Sequence, residues 1–135
     1  MGANDEHVAM LKKGVAAWNT WRAKNAHIEP DLTGADLIEA NLTGADLTGT
    51  RLSDANLNKA NLSKASLMGA NLTEANLTEA RLSNARLFGA NLYKADLAGA
   101  GLMLASLEDT KLCGAKSHWG RPPGCLAAEY RLYGR

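Results

Sequence analysis

The sequence predicts an all-β solenoid, and three observations predict it. Leu recurs every five residues from Leu32 to Leu112 without a slip, 17 leucines in succession. Ala stands two residues before 14 of them, with Pro30, Thr50 and Thr110 before the other three, and the residue just before each Leu is usually Asp or Asn. Aromatic residues are 5% of a chain that is 46% hydrophobic, so the apolar content is mostly Leu and Ala, and a conventional mixed core is not available. The length of 135 residues sets an expectation of one domain.

A helix advances 3.6 residues per turn and a strand alternates every two, so neither keeps a fivefold leucine on one side; the chain must turn inside each repeat. A unit that points Leu inward, sets a small Ala beside it and leaves the other positions polar bends at every repeat and coils up. Stacked coils satisfy one another's backbone at the strand spacing of about 4.8 Å. Disorder is the competing reading for a stretch rich in Ser, Thr, Asn and Gly, but a random polar segment does not hold Leu in strict register over such a length.

The unit A(D/N)Lxx, as in Ala70-Asn71-Leu72-Thr73-Glu74, resembles that of the pentapeptide-repeat family over residues 30 to 116. The resemblance implies a right-handed quadrilateral β-helix of about four coils with one repeat per face, Leu central and inward, Ala the second inward residue near the corner, and the flanking positions facing solvent. Sorted by every fourth repeat, Leu32, Leu52, Leu72, Leu92 and Leu112 stack on the first face, and Leu37, Leu57, Leu77 and Leu97 on the second. Leu42, Leu62, Leu82 and Leu102 follow on the third, and Leu47, Leu67, Leu87 and Leu107 on the fourth. At about 1.5 to 3 kcal/mol per buried Leu, this ladder offsets a large part of the ordering entropy of a loop-like chain. Thr50 and Thr110 fall at one corner three coils apart, read as tolerated small residues in preference to hydroxyls bonded to a neighbouring carbonyl.

A solenoid needs its ends covered. Residues 1–28 are read as an N-terminal α-helical cap. Asn4 caps a helix over 5–25, Asp5 and Glu6 sit in its first turn, and Val8, Leu11, Val15 and Trp18 make one apolar stripe, extended by Trp21 and Ile28. Gly14 weakens this helix and Pro30 marks entry into the repeats. Capping is preferred over a calmodulin-like or membrane-surface role for this basic stretch. The segment from Trp18 to Arg22, WNTWR, resembles N-terminal segments of cyanobacterial members. Residues 29–116 form the β-helix. In 117–135 the register fails at Ser117 and Pro122, a breaker cluster follows, and Leu126, Tyr130 and Tyr133 are spaced for a short helix laid over the last coil.

Chemistry-bearing motifs are absent: no phosphate loop, nucleophile elbow or zinc motif occurs, and His7, His27 and His118 lie far apart in sequence. No cofactor, no metal and no catalysis are expected. Cys113 and Cys125 lack metal spacing and are read as two thiols in a reducing cytosol, with a disulfide pinning the tail as the alternative. No apolar run reaches a membrane span, and the N-terminus lacks a signal-peptide core, so the chain is expected to be cytoplasmic with no membrane partner. A net charge of +1 argues against a general nucleic-acid binder.

The function expected is protein–protein interaction with an unidentified protein partner, the chain itself being a monomer or weak homodimer. Some members of the family resemble DNA and protect gyrase from quinolones with long, strongly negative rods; here the repeats hold 11 acids against 8 bases and the rod is short, so DNA mimicry is the runner-up. The candidate patch lies on the fourth face, where Met68 and Phe88 directly follow their leucines in successive coils. Gly49, Gly69 and Gly89 keep the adjoining corner low, Met103 and Leu104 approach from the third face, and Arg86 supplies a rim charge.

Overall fold

The computed structural model describes residues 2–118 and the pair Ala127–Ala128. Two helices, α1 (Asp5–Lys12) and α2 (Val15–Lys24), lead into the repeats, and a short antiparallel pair, β1 (Thr110–Lys111) with β2 (Ala127–Ala128), closes the far end. Between them the backbone alternates single bridge residues with turns, repeat after repeat.

Each bridge is parallel and joins residues twenty apart. Asp31, Arg51, Asn71, Asn91 and Lys111 form one column, and Asp46, Ser66, Arg86 and Ser106 another. Four repeats therefore complete one circuit. The reason lies in where the amides go. The Leu32 N–H donates to Arg51 C=O at 2.8 Å, Gly34 N–H to Ser53 C=O at 2.8 Å, and Asn56 N–H reaches back to Ala35 C=O at 2.9 Å, a pattern repeated down the stack. The corner itself is closed by Ala35 N–H on Leu32 C=O at 3.0 Å, and the second corner residue is left-handed, as a type II turn requires. Gly takes seven of these 17 corner positions and Glu39, Asp54, Lys59, Lys64, Glu74, Glu79, Asn84, Lys94, Leu104 and Asp109 the rest.

One amide per repeat remains, that of the residue after Leu. All ten Asp or Asn residues preceding a central Leu accept it with the side chain, as in Thr33 N–H on Asp31 Oδ1 at 3.0 Å and Thr78 N–H on Asn76 Oδ1 at 3.0 Å. The preference for Asp or Asn is thus an Asx turn that completes the backbone account.

The bore is a leucine ladder. All 17 central leucines are at most 6% exposed, and the alanines beside them are buried except Ala40 and Ala105, which are partly so. Thr110 Oγ1 donates to Leu87 C=O at 2.8 Å, whereas Thr50 Oγ1 is buried without a partner. The difference is positional: the acceptor lies 23 residues upstream, in the preceding coil, and for Thr50 that place is His27, ahead of the first coil. Thr110 thus departs from the expectation of a merely tolerated small residue.

Three expectations at the ends need correction. The single helix over 5–25 is two helices, because Gly14 adopts φ 115° and ψ 162°, closed to side chains, and the chain turns there. At the far end Ala127–Ala128 pair as a strand with Thr110–Lys111, where a short helix was expected; the unpaired edge of the last coil offers a backbone partner that helix geometry cannot use. Leu126, Tyr130 and Tyr133 lie outside the described residues. Cys113 is disulfide-bonded, contrary to the expectation of two thiols. Cys125 lies outside the described residues. Within the described residues, Ala127–Ala128 lie beside the last coil at Thr110–Lys111, close in sequence to Cys113.

Candidate functional site

Seen from its helical end, the first coil presents backbone groups with no coil above them. The two helices answer most of these with side chains. Trp18 Nε1 donates to Asp46 C=O at 2.7 Å, Asn19 Oδ1 accepts from Asp46 N–H at 2.8 Å, and Arg22, buried, donates to Thr48 C=O at 3.0 Å and Ile28 C=O at 2.8 Å. His7 Nδ1 accepts from Asp31 N–H at 3.0 Å, and Asn4 N–H donates to Asp31 C=O at 2.9 Å. Hydrogen bonds from Thr33 hold the Asp31 carboxyl below its ordinary 3.8, helped by Arg51 and His7 and opposed by burial. The helices leave the second face less covered. A cleft of about 440 Å³ opens there, lined by Leu11, Lys12, Gly14, Ile38 and Asn41 among others. It carries no cluster of titratable groups: among the described residues, no three His, Cys, Asp or Glu are grouped to hold a metal ion.

The side of the solenoid holds the exposed apolar residues. Met68 is 37% exposed and Phe88 44%, and Gly69 N–H donates to Phe88 C=O at 2.9 Å, which puts the two in register on successive coils. Arg86, exposed, precedes the leucine before Phe88 and bridges Ser66 above it. The glycines at 49, 69 and 89 all have positive φ, and a Cβ built on any of them meets nothing within 4 Å, so the corner beside the column is open. Met103, 53% exposed, lies under Asn84 on the third face, and Leu104, 77% exposed, is the corner residue that follows it, one coil below and one face back from Phe88. The structure therefore brings Met68, Arg86 and Phe88 into one column and sets Met103 and Leu104 diagonally beside it.

Leu104 is the one apolar side chain among the 17 left-handed corners, at φ 60°. A non-glycine residue there carries a cost of about 1 kcal/mol, so neither burial nor backbone ease accounts for it. Two further exposed apolar residues, Ile38 at the cleft and Tyr93 on the first face beneath Lys94, drew no notice in the sequence, where both look like ordinary outward positions. A third feature was also not read there. Arg51, Ser66, Arg81, Arg86, Gly101, Ser106 and Lys111 stand where Asp or Asn caps the turn in the other ten repeats, and among the described residues the amides of Ser53, Met68, Ser83, Phe88, Met103 and Glu108 have no acceptor in the protein. The signal was present, since a break in the Asp/Asn column marks each such amide.

This geometry has known counterparts. The family described as Pentapeptide repeats (8 copies) matches residues 31–67, 65–102 and 80–116. The chain belongs to the pentapeptide-repeat family. Its members form right-handed quadrilateral β-helices, in keeping with the twenty-residue bridge spacing. The pentapeptide-repeat chain is 33% identical to alr5209, a pentapeptide repeat protein from Nostoc Pcc 7120, over 73% of this chain and 93% of that one, with a TM-score of 0.61. Rfr23, a pentapeptide repeat protein from the cyanobacterium Cyanothece 51142, is 38% identical over 67% of this chain and 62% of that one, with a TM-score of 0.32. A pentapeptide repeat protein from the Arabidopsis thaliana thylakoid lumen is 33% identical over 63% of each chain, with a TM-score of 0.36. Only the first superposes well enough to bear on the fold. Among curated proteins none matches the chain.

Proposed function

We propose that this pentapeptide-repeat chain is a non-catalytic scaffold that acts through protein–protein interaction. Residues 1–28 cap it, 29–116 form the body in slightly more than four coils, and 117–135 close it. The partner meets the fourth face at Met68 and Phe88, with Arg86, Met103 and Leu104 around them. One observation carries this reading: among the described residues, four of the six exposed large apolar side chains gather on this part of the surface, while Ile38 and Tyr93 stand apart on the second and first faces. Apolar and Arg anchors at an open surface are what interface cores favour. Basic side chains on every face, Arg51, Lys59, Lys64 and Arg86 among them, oppose a polyanion mimic.

The test is the double variant Met68→Ser with Phe88→Ser. Neither side chain enters the bore, so the melting temperature is expected to stay within about 2 °C. A partner bound by the parent protein, or self-association seen by sedimentation, is expected to be lost. Unaltered binding in the double variant would remove this face from consideration.

A further inference from the structure

We propose that the fourth face takes an acidic segment of a partner protein that also carries an apolar side chain, an inference that rests on the interaction reading above. The backbone account supplies the reason. In ten repeats an Asp or Asn oxygen occupies the amide two residues on, and that amide therefore points to the outer surface. Ser66 and Arg86 are two of the seven residues that interrupt the pattern, and they do so in the two successive coils where Met68 and Phe88 stand. The Ser66 hydroxyl is engaged with Thr48 Oγ1 at 2.8 Å, and Arg86 has no acceptor atom to offer. The Met68 and Phe88 amides thus keep their donor capacity one coil apart, beside two exposed apolar side chains.

Within the two repeats that carry Met68 and Phe88, residues 66–70 and 86–90, the one charged residue is Arg86. Arg86 has no ion pair among the described residues, and neither do Lys64 and Arg81 on the adjoining third face. Acids stand at both ends of the column: Asp46 one coil above Ser66, already accepting from Thr48 N–H, and Glu108 stacked directly below Phe88, with Asp109 at the corner after it. Amide donors and a guanidinium select carboxylate and carbonyl oxygens, and a carboxylate seated where the Asx oxygen stands in other repeats makes a charge-assisted hydrogen bond. The open glycine corner admits a peptide backbone. Nucleic acid is the other acceptor-rich candidate, but an apolar floor and a repeat region of 11 acids and 8 bases favour a short acidic-apolar peptide over a polyanion.

The experiment follows the backbone amide resonances of the full chain while three probes are added: acetyl-Asp-Glu-Phe-Leu-Asp amide, its Asn/Gln counterpart, and a short oligothymidine. The Met68 and Phe88 amides are expected to shift and saturate with the acidic peptide, with affinity about tenfold weaker for the neutral counterpart. Arg86→Gln is expected to lose the same factor without a change in melting temperature. Equal affinity for acidic and neutral peptides, no shift at either amide, or tighter binding of the oligonucleotide would each overturn the proposal. The two readings fail differently. A partner lost in the Met68→Ser, Phe88→Ser variant but indifferent to Arg86→Gln refutes the acidic segment and leaves the interaction surface standing; a partner kept by the double variant refutes the surface itself.

Discussion

Leu72 and Thr73 are neighbours in the chain and opposites in the fold. Leu72 is fully buried in mid-stack, while the Thr73 side chain lies outside and bonds Asn71 Oδ1 at 2.6 Å. Lys in place of Leu72 carries an ammonium into a bore with no acid to meet it, at a cost on the order of 5 kcal/mol. That is comparable to the whole stability of a small domain. Lys in place of Thr73 loses one exposed hydroxyl contact and is expected to cost about 0.5 kcal/mol. Urea unfolding of the two variants checks this: the Leu72 variant should lose its cooperative transition and the Thr73 variant should keep it. Equal stabilities would contradict the inward register. The same scale explains the residue before Leu, which in the sequence reads as a surface ladder of Asp and Asn. Its side chain closes a turn, a role invisible until each amide has been assigned an acceptor.

The helical segment illustrates what an element adds. Its apolar stripe marks it as a cover for the first coil, but the stripe says nothing about the polar tips that do the joining. Trp18 is fully buried and its indole N–H holds Asp46 C=O, whereas Trp21, half-buried, lies tilted against Trp18 and His7 with ring centroids 5.2 Å from each. Trp18→Phe retains most of the ring and leaves that carbonyl unpaired, so it should destabilise by about 1 to 3 kcal/mol. Trp21→Phe should cost less. Thermal melts of the two variants check the order, and a reversed order would mean that packing, and not the hydrogen bond, joins helix to coil. Gly14 was legible as a weak point but not as a break, because a single helix and a bent pair satisfy the same fivefold-free pattern of Val8, Leu11, Val15 and Trp18.

At the scale of the whole molecule the two ends are closed differently. Side chains of α1 and α2 stand in for a missing coil at one end, and β2 pairs with β1 at the other. Cys113 joins this closure through its disulfide. Thiol titration of the non-reduced protein is therefore expected to find Cys113 unreactive, and reduction should release it. A reactive Cys113 before reduction would show that the end closes without the covalent bond. Reduction is also expected to lower the midpoint of unfolding, since a cross-link restricts the unfolded chain.

The sequence by itself determined the turn in every repeat and the composition of the bore. Both follow from a local period: five residues match no regular element, and a leucine kept in register for 17 repeats must share one environment. Only the tertiary structure decided what depends on residues about twenty apart or more. The coil closes after four corners because each corner's backbone meets the coil below at a set position, and no five-residue unit contains that distance. The same non-local bonding decided that Thr110 finds Leu87 while Thr50 finds nothing, that Gly14 parts two helices, and that Cys113 is oxidised. It also set Met68 over Phe88, since residues twenty apart meet only when the coil closes after four repeats.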